Sequence, residues 1–500
     1  MAFPAASTVV AVSLVTLFVY RFFSALASVD HVPGMRPLFS PMSLWGVACG
    51  TSWWNPGLIG LGNGVKLVRT FLNNIHVAGH LIIVVICPAY FRQTHDVISV
   101  VPLIAGDISY HTASLNVMKQ VLANEGRLIK PPRIFISLWG DNVVAANGDM
   151  WKRHRRIVAP AFTNKTHSLV VAETLTLTII ARCGFGLPMP WADAPAEENE
   201  LTFAQSLTIV TQSVIPRLVI PAWLYKLPVK RLRTFELAWS SLGEFMHRFV
   251  RTEQEKLHGE TAEASQRGDV FSRLVAAMDA DSKQGLDEQE VIGNTFTPSE
   301  TTAAILSATL GFLAIYEEEQ EKAHSEIVRA IPAPQDPSLD DMSKLPHLLA
   351  CFHETMRLFP AAAALYREMT EDTPVKVTRP TEKTLVFKRG SLVVIDLISL
   401  HRNPNIFLEP DVFRPPRWYG VSEHDVSMFG YGPRACLAKK FTNVEALCFL
   451  ALFLRDWKVS IPLPAGESMA EYEERVMRNA GRVGLAFGVR SISLKLTRRR

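Results

Sequence analysis

The chain lacks the patterns that define several common classes of protein. Its six cysteines include no Cys-x-x-Cys pair and have no regular spacing, which argues against a disulfide framework or a zinc site. No internal repeat and no long low-complexity linker interrupts the sequence. A net charge of +4 is too small for a dedicated nucleic-acid-binding protein. What is present is 500 residues with 48% apolar content, enough for a large globular core.

Charged side chains are also absent from the first twenty residues, and Arg21 follows them. We predict that residues 1–23 form a transmembrane anchor helix, with the following domain on the cytosolic side. Two alternatives remain open. One is a cleaved secretory signal, for which Ala25 and Ala27 provide the small-residue cleavage pattern, and the other is the buried first helix of a soluble protein. The lack of a basic segment before the apolar run favours the anchor.

The remainder of the chain is divided by composition. Residues 24–60 are rich in proline, glycine and tryptophan and are predicted to be a linker. Residues 61–500 are predicted to form a single domain, mainly α with a minor β part. Its predicted strands include the apolar run between His80 and Pro88, which is too short to cross a bilayer, and strand segments within residues 384–397.

The strongest chemical signal is the segment MFGYGPRACLAKKF, in which glycines and a proline predict a tight turn just before Cys436. A helix is predicted to begin close behind this cysteine. The positive potential of a helix N-terminus, together with the nearby Arg434, Lys439 and Lys440, favours the thiolate form that binds iron. A cysteine in a glycine turn can also be purely structural, and this motif alone does not decide between the two interpretations.

The full spacing of this segment is F-x-x-G-x-R-x-C, given by Phe429, Gly432, Arg434 and Cys436. It resembles the haem-ligand loop of the cytochrome P450 family of haem-thiolate monooxygenases. The resemblance implies a mainly α fold with haem b as cofactor and Cys436 as the axial ligand of its iron. It also implies that the other three residues of the motif lie against the haem.

A second motif is CFHETMRLFP, which places Glu354 and Arg357 one helical turn apart. On its own this is a common surface ion pair. Followed by FRPPRW, it resembles the structural triad of the family, which would comprise Glu354, Arg357 and Arg417. Pro416 stands where the family usually has Glu, so the loop around Arg417 is expected to be held differently.

A third motif is GDMWKRHRRIVAPAF, in which Trp151 and Arg155 are one helical turn apart. Considered alone, it is an ordinary basic helix face. The resemblance implies that the indole N–H and the guanidinium bind the haem propionates, because planar charged donors suit carboxylates.

The segment TPSETT supports two interpretations. Thr297, Pro298 and Glu300 match a capping box at a helix start. Alternatively, the Glu-Thr-Thr part resembles the end of the family's acid-threonine pattern on the helix over the haem, which implies that Thr301 hydrogen-bonds dioxygen and that Glu300 relays protons. The small residues that normally precede this pattern are replaced by Thr297 and Pro298, and about one helical turn is absent.

Two other segments depart from the family. Near residue 175 the chain passes directly from PAFTNKTHSLVVAETL to TLTIIARCGFG, where the family usually has a further helix and its connections. Residues 78–94 resemble nothing expected at that point. These departures bear on the completeness of the active site more than on the fold.

The implied function is a monooxygenase of the endoplasmic reticulum membrane that inserts one oxygen atom of O2 into a lipophilic small molecule, as in secondary metabolism. NADPH-derived electrons would come from NADPH-cytochrome P450 reductase, and membrane lipid would be a second partner. The candidate docking residues for the reductase are Lys152, Arg156, Lys439 and Lys440. Two alternatives stay open: a haem-thiolate protein without monooxygenase activity, either inactive or isomerase-type, and a helical interaction protein that binds no haem.

Overall fold

The structure is a computed structural model. It describes residues 3–40, 94–104, 106–123, 125–131, 140–162, 201–203, 205–207, 209–210, 213, 217, 220, 222–259, 270–278, 285–296, 299–478, 481–483, 486–489 and 491–499. The helices in these ranges are α1 Phe3–Ser28, α2 Leu115–Ala123, α3 Gly148–Val158, α4 Lys230–Gly259, α5 Val270–Ala276, α6 Glu288–Phe296, α7 Ser299–Ile315, α8 Glu317–Ala330, α9 Pro346–Leu358, α10 Leu397–His401, α11 Lys439–Asp456 and α12 Met469–Tyr472. The strands are β1 Gly34–Met35, β2 Val97–Val100, β3 Ser109–Thr112, β4 Leu128–Ile129, β5 Ala364–Met369, β6 Thr373–Val377, β7 Lys383–Phe387, β8 Leu392–Asp396, β9 Trp457–Ser460, β10 Gly481–Val483, β11 Ala486–Gly488 and β12 Lys495–Arg498.

The chain forms two compact units. The first comprises Met1–Pro131, Ala362–Val412 and Tyr431–Arg434. It contains a sheet with the strand order β1-β2-β3-β8-β5-β4, in which β8 runs parallel to β3 and antiparallel to β5. The minor β part of the predicted fold is therefore concentrated in this unit.

The strands predicted within residues 384–397 are confirmed as β7 and β8, and Gly390 between them has a positive φ of 76°. Strand β7 pairs with β6 as an antiparallel ribbon whose alternate side chains are buried. Its Phe387 stacks on Tyr110 with 4.2 Å between ring centroids. This alternation follows from the two-residue period of a strand with one face on the core.

Helix α1 begins within the predicted anchor and extends beyond it to Ser28. Among the described residues, no helix has both the length and the hydropathy needed to cross a membrane. At the end of α1, Phe22, Ala25 and Leu26 pack against the core of the first unit. The anchor over residues 1–23 stays a prediction. The apolar run between His80 and Pro88 lies outside the described residues.

The second unit comprises Pro132–Ala361, Phe413–Gly430 and Ala435–Arg500, and it is mainly helical. Helix α9 has Pro346 in its first turn, where the N–H that proline lacks would have no partner within the helix. The backbone N–H groups of the next two residues, His347 and Leu348, donate to the Glu326 carboxylate at 2.9 Å. Nearly the whole length of α9 is buried. This rigid helix carries the central ion pair of the candidate site.

Candidate active site

Glu354 on α9 brings together the three residues of the predicted triad. Its carboxylate accepts hydrogen bonds from Arg357 Nε at 2.9 Å and Nη2 at 2.8 Å, and from Arg417 Nε at 2.9 Å. The side chains of Glu354 and Arg357 are 0% exposed. A buried ion pair of this kind is tolerated only when its charges are paired and hydrogen-bonded, and both conditions hold here.

Two further donors to Glu354 were missed by sequence reasoning. The Arg414 backbone N–H donates at 2.9 Å and the Trp418 indole Nε1–H donates at 2.9 Å. Both come from the FRPPRW segment, which forms a 3₁₀ turn over Pro415–Trp418. Pro416 therefore occupies a turn that still delivers Arg417, and two donors beside it, to the carboxylate. The adjacent prolines, which restrict φ, were the available signal for such a turn.

The predicted turn before Cys436 is present. The Cys436 N–H donates to the Phe429 carbonyl at 2.8 Å, and Gly430 and Gly432 have positive φ values of 79° and 70°. A Cβ on Gly432 would lie 2.6 Å from the Leu122 carbonyl oxygen. Glycine is therefore required at position 432 by both backbone conformation and close packing.

The chemistry of Cys436 differs from the prediction in one respect. Its side chain is exposed, yet the protein packed around it desolvates the sulfur and raises the pKa of the thiol, with the Ala438 N–H acting in the opposite direction. Sequence reasoning predicted a lowered pKa from the helix N-terminus and Arg434. Desolvation outweighs that effect in the protein alone, whereas coordination to a metal cation deprotonates a thiol outright.

The Cys436 loop fits an iron cofactor. Among the described residues, Cys351 and Cys448 are buried, whereas the Cys436 sulfur is accessible. Within the loop, a Cβ on Gly430 would come no closer to other atoms than 3.8 Å, at Ala435 Cα, so this position presents only backbone and open space. An accessible soft ligand on a fixed loop with a bare backbone suits a flat group bound through its metal.

Helix α3 carries the other predicted haem contacts. Trp151 is buried, and the Arg155 guanidinium carbon lies 5.6 Å from the centroid of its ring. The two side chains therefore share one helix face, as their spacing predicts. An indole N–H and a guanidinium at one place are suitable donors for carboxylates.

Helix α7 begins at Ser299 and contains the predicted acid and threonines. Thr301 is partly buried and Thr302 is buried. Thr297, Pro298 and the side chain of Glu300 lie outside the described residues. The capping box and the role of Glu300 therefore both stay predictions.

A buried acid on α11 was not found from the sequence. Glu445 is 1% exposed and is hydrogen-bonded to the Thr302 side chain, and its Oε1 has no hydrogen-bond partner among the described residues. Burial raises the pKa of this carboxyl to about 8, with the Thr302 hydrogen bond acting weakly against the rise. A single acid within the apolar run VEALCFLALF was the signal that could have identified it.

Comparison with known proteins agrees with this geometry. The family model described as Cytochrome P450 matches residues 169–485. Cytochrome P450 monooxygenase 124 of Postia placenta is 28% identical, over 78% of this chain and 83% of that protein. Cytochrome P450 4F5 of Rattus norvegicus is 26% identical, over 69% and 73%. Leukotriene-B4 omega-hydroxylase 3 of Mus musculus is 25% identical, over 73% and 78%.

The fold is also that of a solved structure. The crystal structure of the cytochrome P450DA heme domain aligns with a TM-score of 0.67 at 19% identity, covering 94% of this chain and 98% of that one. The family model and the named relatives define the class of protein as a haem-thiolate oxidoreductase. The chain belongs to the cytochrome P450 family. Family and fold imply haem with a cysteine thiolate ligand.

Proposed function

We propose that the chain is a membrane-bound cytochrome P450 monooxygenase that inserts one oxygen atom of O2 into a lipophilic small molecule of secondary metabolism. The other oxygen atom leaves as water. The observation that carries the proposal is the accessible Cys436 thiol on its glycine loop. The name of the mouse relative, an omega-hydroxylase of leukotriene B4, supports a small-molecule hydroxylation. The proposed haem domain spans residues 61–500, behind the anchor 1–23 and the linker 24–60.

The residues at the site have separate roles in this proposal. Haem, when bound, supplies the oxidising chemistry. Cys436 holds its iron, while Phe429, Gly432 and Arg434 of the same loop lie against the haem. Trp151 and Arg155 donate to the propionates. Around Glu354, the buried ion pair holds the segment that leads towards the ligand loop, and its contribution is rigidity, not chemistry.

The membrane and the redox partner form the second part of the proposal. Helix α1 presents exposed apolar side chains, including Leu17, Tyr20 and Phe23, and we place it in the endoplasmic reticulum membrane. Electrons come from NADPH through NADPH-cytochrome P450 reductase, which docks on basic residues that are exposed or half-buried. Those residues are Lys152, Arg156, Lys439 and Lys440. Lys152 pairs with Asp149 at 2.8 Å and Lys439 pairs with Glu423, so the partner must compete with these carboxylates.

The carbon monoxide difference spectrum of the reduced protein tests the cofactor assignment. We expect a band at about 450 nm in the haem-loaded protein, because thiolate ligation produces this shift. Cys436→Ala should lose the band, whereas Cys351→Ala, at a buried cysteine, should keep it in whatever folded protein is recovered. Absence of haem uptake by the unaltered chain, or a retained band in Cys436→Ala, would contradict the proposal.

Thr301→Ala tests monooxygenase activity against a haem-thiolate protein that does not activate dioxygen. We expect normal haem content and a fall of at least about tenfold in product formed per NADPH consumed, because positioned proton donors contribute 10²-fold or more to such steps. The amount of hydrogen peroxide formed per NADPH consumed should rise as the amount of product falls. The matched control is Ser307→Ala, on an exposed position of the same helix. Equal coupling in both variants would leave Thr301 without a role in the reaction.

A further inference from the structure

A buried polar cluster lies between α3 and α6, and the proposed function makes no use of it. His154, between Trp151 and Arg155 in the sequence, is 0% exposed. It faces Asn294 and Glu290 of α6, both less than one-tenth exposed. Burying these polar groups costs folding free energy unless they are hydrogen-bonded.

The hydrogen bonds of Asn294 define the orientation of its amide. Its Oδ1 accepts from the Val143 backbone N–H at 2.8 Å, and its Nδ2 donates to the Glu290 carbonyl at 2.7 Å. Turning the amide over would place an NH2 group against the Val143 N–H and an oxygen against a carbonyl. The same Nδ2 lies 3.0 Å from His154 Nδ1. Since Nδ2 can only donate, Nδ1 of His154 must be the acceptor.

The tautomer of His154 follows from this arrangement. A neutral imidazole that accepts at Nδ1 carries its proton on Nε2. Nε2 lies 3.3 Å from Glu290 Oε1, close enough for an electrostatic contact but outside hydrogen-bonding geometry, so its proton has no acceptor among the described residues. Glu290 is itself held by Arg153, and its Oε2 accepts from the Asp287 N–H at 3.0 Å.

The groups around His154 shift the pKa of its imidazole in both directions. Burial lowers the pKa of the imidazole and Arg153 lowers it further, while Glu290 and Asp141 raise it. The balance is a lowered pKa, so the neutral form prevails at pH 7. Protonation at acid pH would place a hydrogen on Nδ1, directly against the Asn294 amide hydrogens.

We propose that Asn294 and His154 are positioning residues for the haem propionates: the amide holds the imidazole in one neutral tautomer and thereby fixes Trp151 and Arg155 of α3 against α6. The inference rests on the proposed function, because it takes Trp151 and Arg155 as propionate donors. Close packing supports it, since a Cβ on Gly293 of α6 would lie 3.1 Å from the Gly140 carbonyl oxygen, in the segment that leads to α3. Helix α6 and the segment that leads to α3 therefore have little room to move relative to each other.

The pH dependence of haem dissociation tests the proposal. Haem transfer from the loaded protein to excess apomyoglobin is measured from about pH 5 to about pH 8.5, a range that extends below the ordinary titration of imidazoles because the pKa of His154 is lowered. In the unaltered chain, haem loss should accelerate towards acid pH as Nδ1 is protonated. Asn294→Asp should reverse this trend, because a carboxylate pairs with the imidazolium at low pH and opposes the Nδ1 lone pair at high pH. We expect at least about a tenfold faster loss at pH 8.5, because the carboxylate can make neither of the two hydrogen bonds that Nδ2 donates, to His154 Nδ1 and to the Glu290 carbonyl.

A second variant separates positioning from general destabilisation. His154→Gln keeps an acceptor for Asn294 but does not titrate, so the acid acceleration should disappear while haem is retained at neutral pH. Asn116→Asp, at an exposed helix position, is the control for the change in charge and should follow the unaltered chain. A profile for Asn294→Asp parallel to that of the unaltered chain, or a persistent acid acceleration in His154→Gln, would overturn the proposal.

The tautomer is measured independently of haem. Long-range proton-nitrogen spectra of the ¹⁵N-histidine-labelled protein, assigned by the signal missing in His154→Gln, should give an unprotonated Nδ1 and a protonated Nε2. A protonated Nδ1 at pH 7 would refute the inference even if haem binds. Failure of the unaltered chain to take up haem would refute the proposed function and with it the role towards propionates, while the spectra would still report on the Asn294–His154 contact.

Discussion

Glu354→Ala is expected to prevent the chain from folding to a stable state. The substitution leaves the guanidinium of Arg357 buried without its counter-ion, and removal of one partner of a buried pair costs about 3–5 kcal/mol. The Arg414 N–H and the Trp418 indole also lose their acceptor, at about 1–3 kcal/mol for each buried donor. The sum is comparable with the whole stability of a domain, roughly 5–15 kcal/mol. The measurement is the yield of soluble, haem-loaded protein.

The matched control is another acid at the same helical spacing from a basic residue. Asp149 pairs with Lys152 on α3 at 2.8 Å, but its side chain is 96% exposed. Asp149→Ala should leave the yield of soluble, haem-loaded protein close to that of the unaltered chain, because an exposed ion pair contributes little to stability. Glu354→Gln should fall between the two, because it keeps an oxygen acceptor but loses the charge and turns an NH2 group towards a donor. Equal yields for Glu354→Ala and Asp149→Ala would refute the central role of this ion pair.

The triad also marks how far the sequence could predict the site. Glu354 and Arg357 share a helix, so their pairing follows from helical geometry, and the resemblance added Arg417. The donors from Arg414 and Trp418 could not be foreseen, because they depend on the path of a turn with two adjacent prolines. Residue spacing within a helix predicts contacts well. Spacing across a loop does not, since the backbone dihedrals decide which groups meet.

Cys436 also shows which properties of the site the sequence can and cannot predict. The glycines around it correctly predicted a turn, because positive φ is inexpensive only for glycine. Without the cofactor, the pKa of the thiol is raised by desolvation, which depends on tertiary packing, whereas only helix-end and charge arguments can be made from the sequence. In the same way, neither His154 nor its partner Asn294 was identified from the sequence, because their contact depends on how α3 packs against α6.

Glu445 should make the stability of the protein fall as the pH rises. In the folded protein its carboxyl has a pKa of about 8, against 4.5 when unperturbed, so between these values the folded chain holds a proton that the unfolded chain has released. The unfolding free energy therefore decreases with pH across this window. At about 1.4 kcal/mol per pKa unit, the loss from this group is on the order of 4 kcal/mol by pH 8. Urea unfolding at pH 5, 6.5 and 8 (about the limits and middle of the window) measures it.

Glu445→Gln removes the titrating proton but keeps a polar side chain of the same shape for Thr302. The variant should therefore be close to the unaltered protein at pH 5 and more stable than it at pH 8, because its amide has no charged form to bury. Glu382→Gln, at an exposed acid, should leave the pH dependence unchanged. If Glu445→Gln and the unaltered chain lose stability in parallel between pH 5 and pH 8, the carboxyl is already ionised in the folded protein. Its unpartnered Oε1 would then have to be hydrated, because a bare buried carboxylate is far too costly to persist.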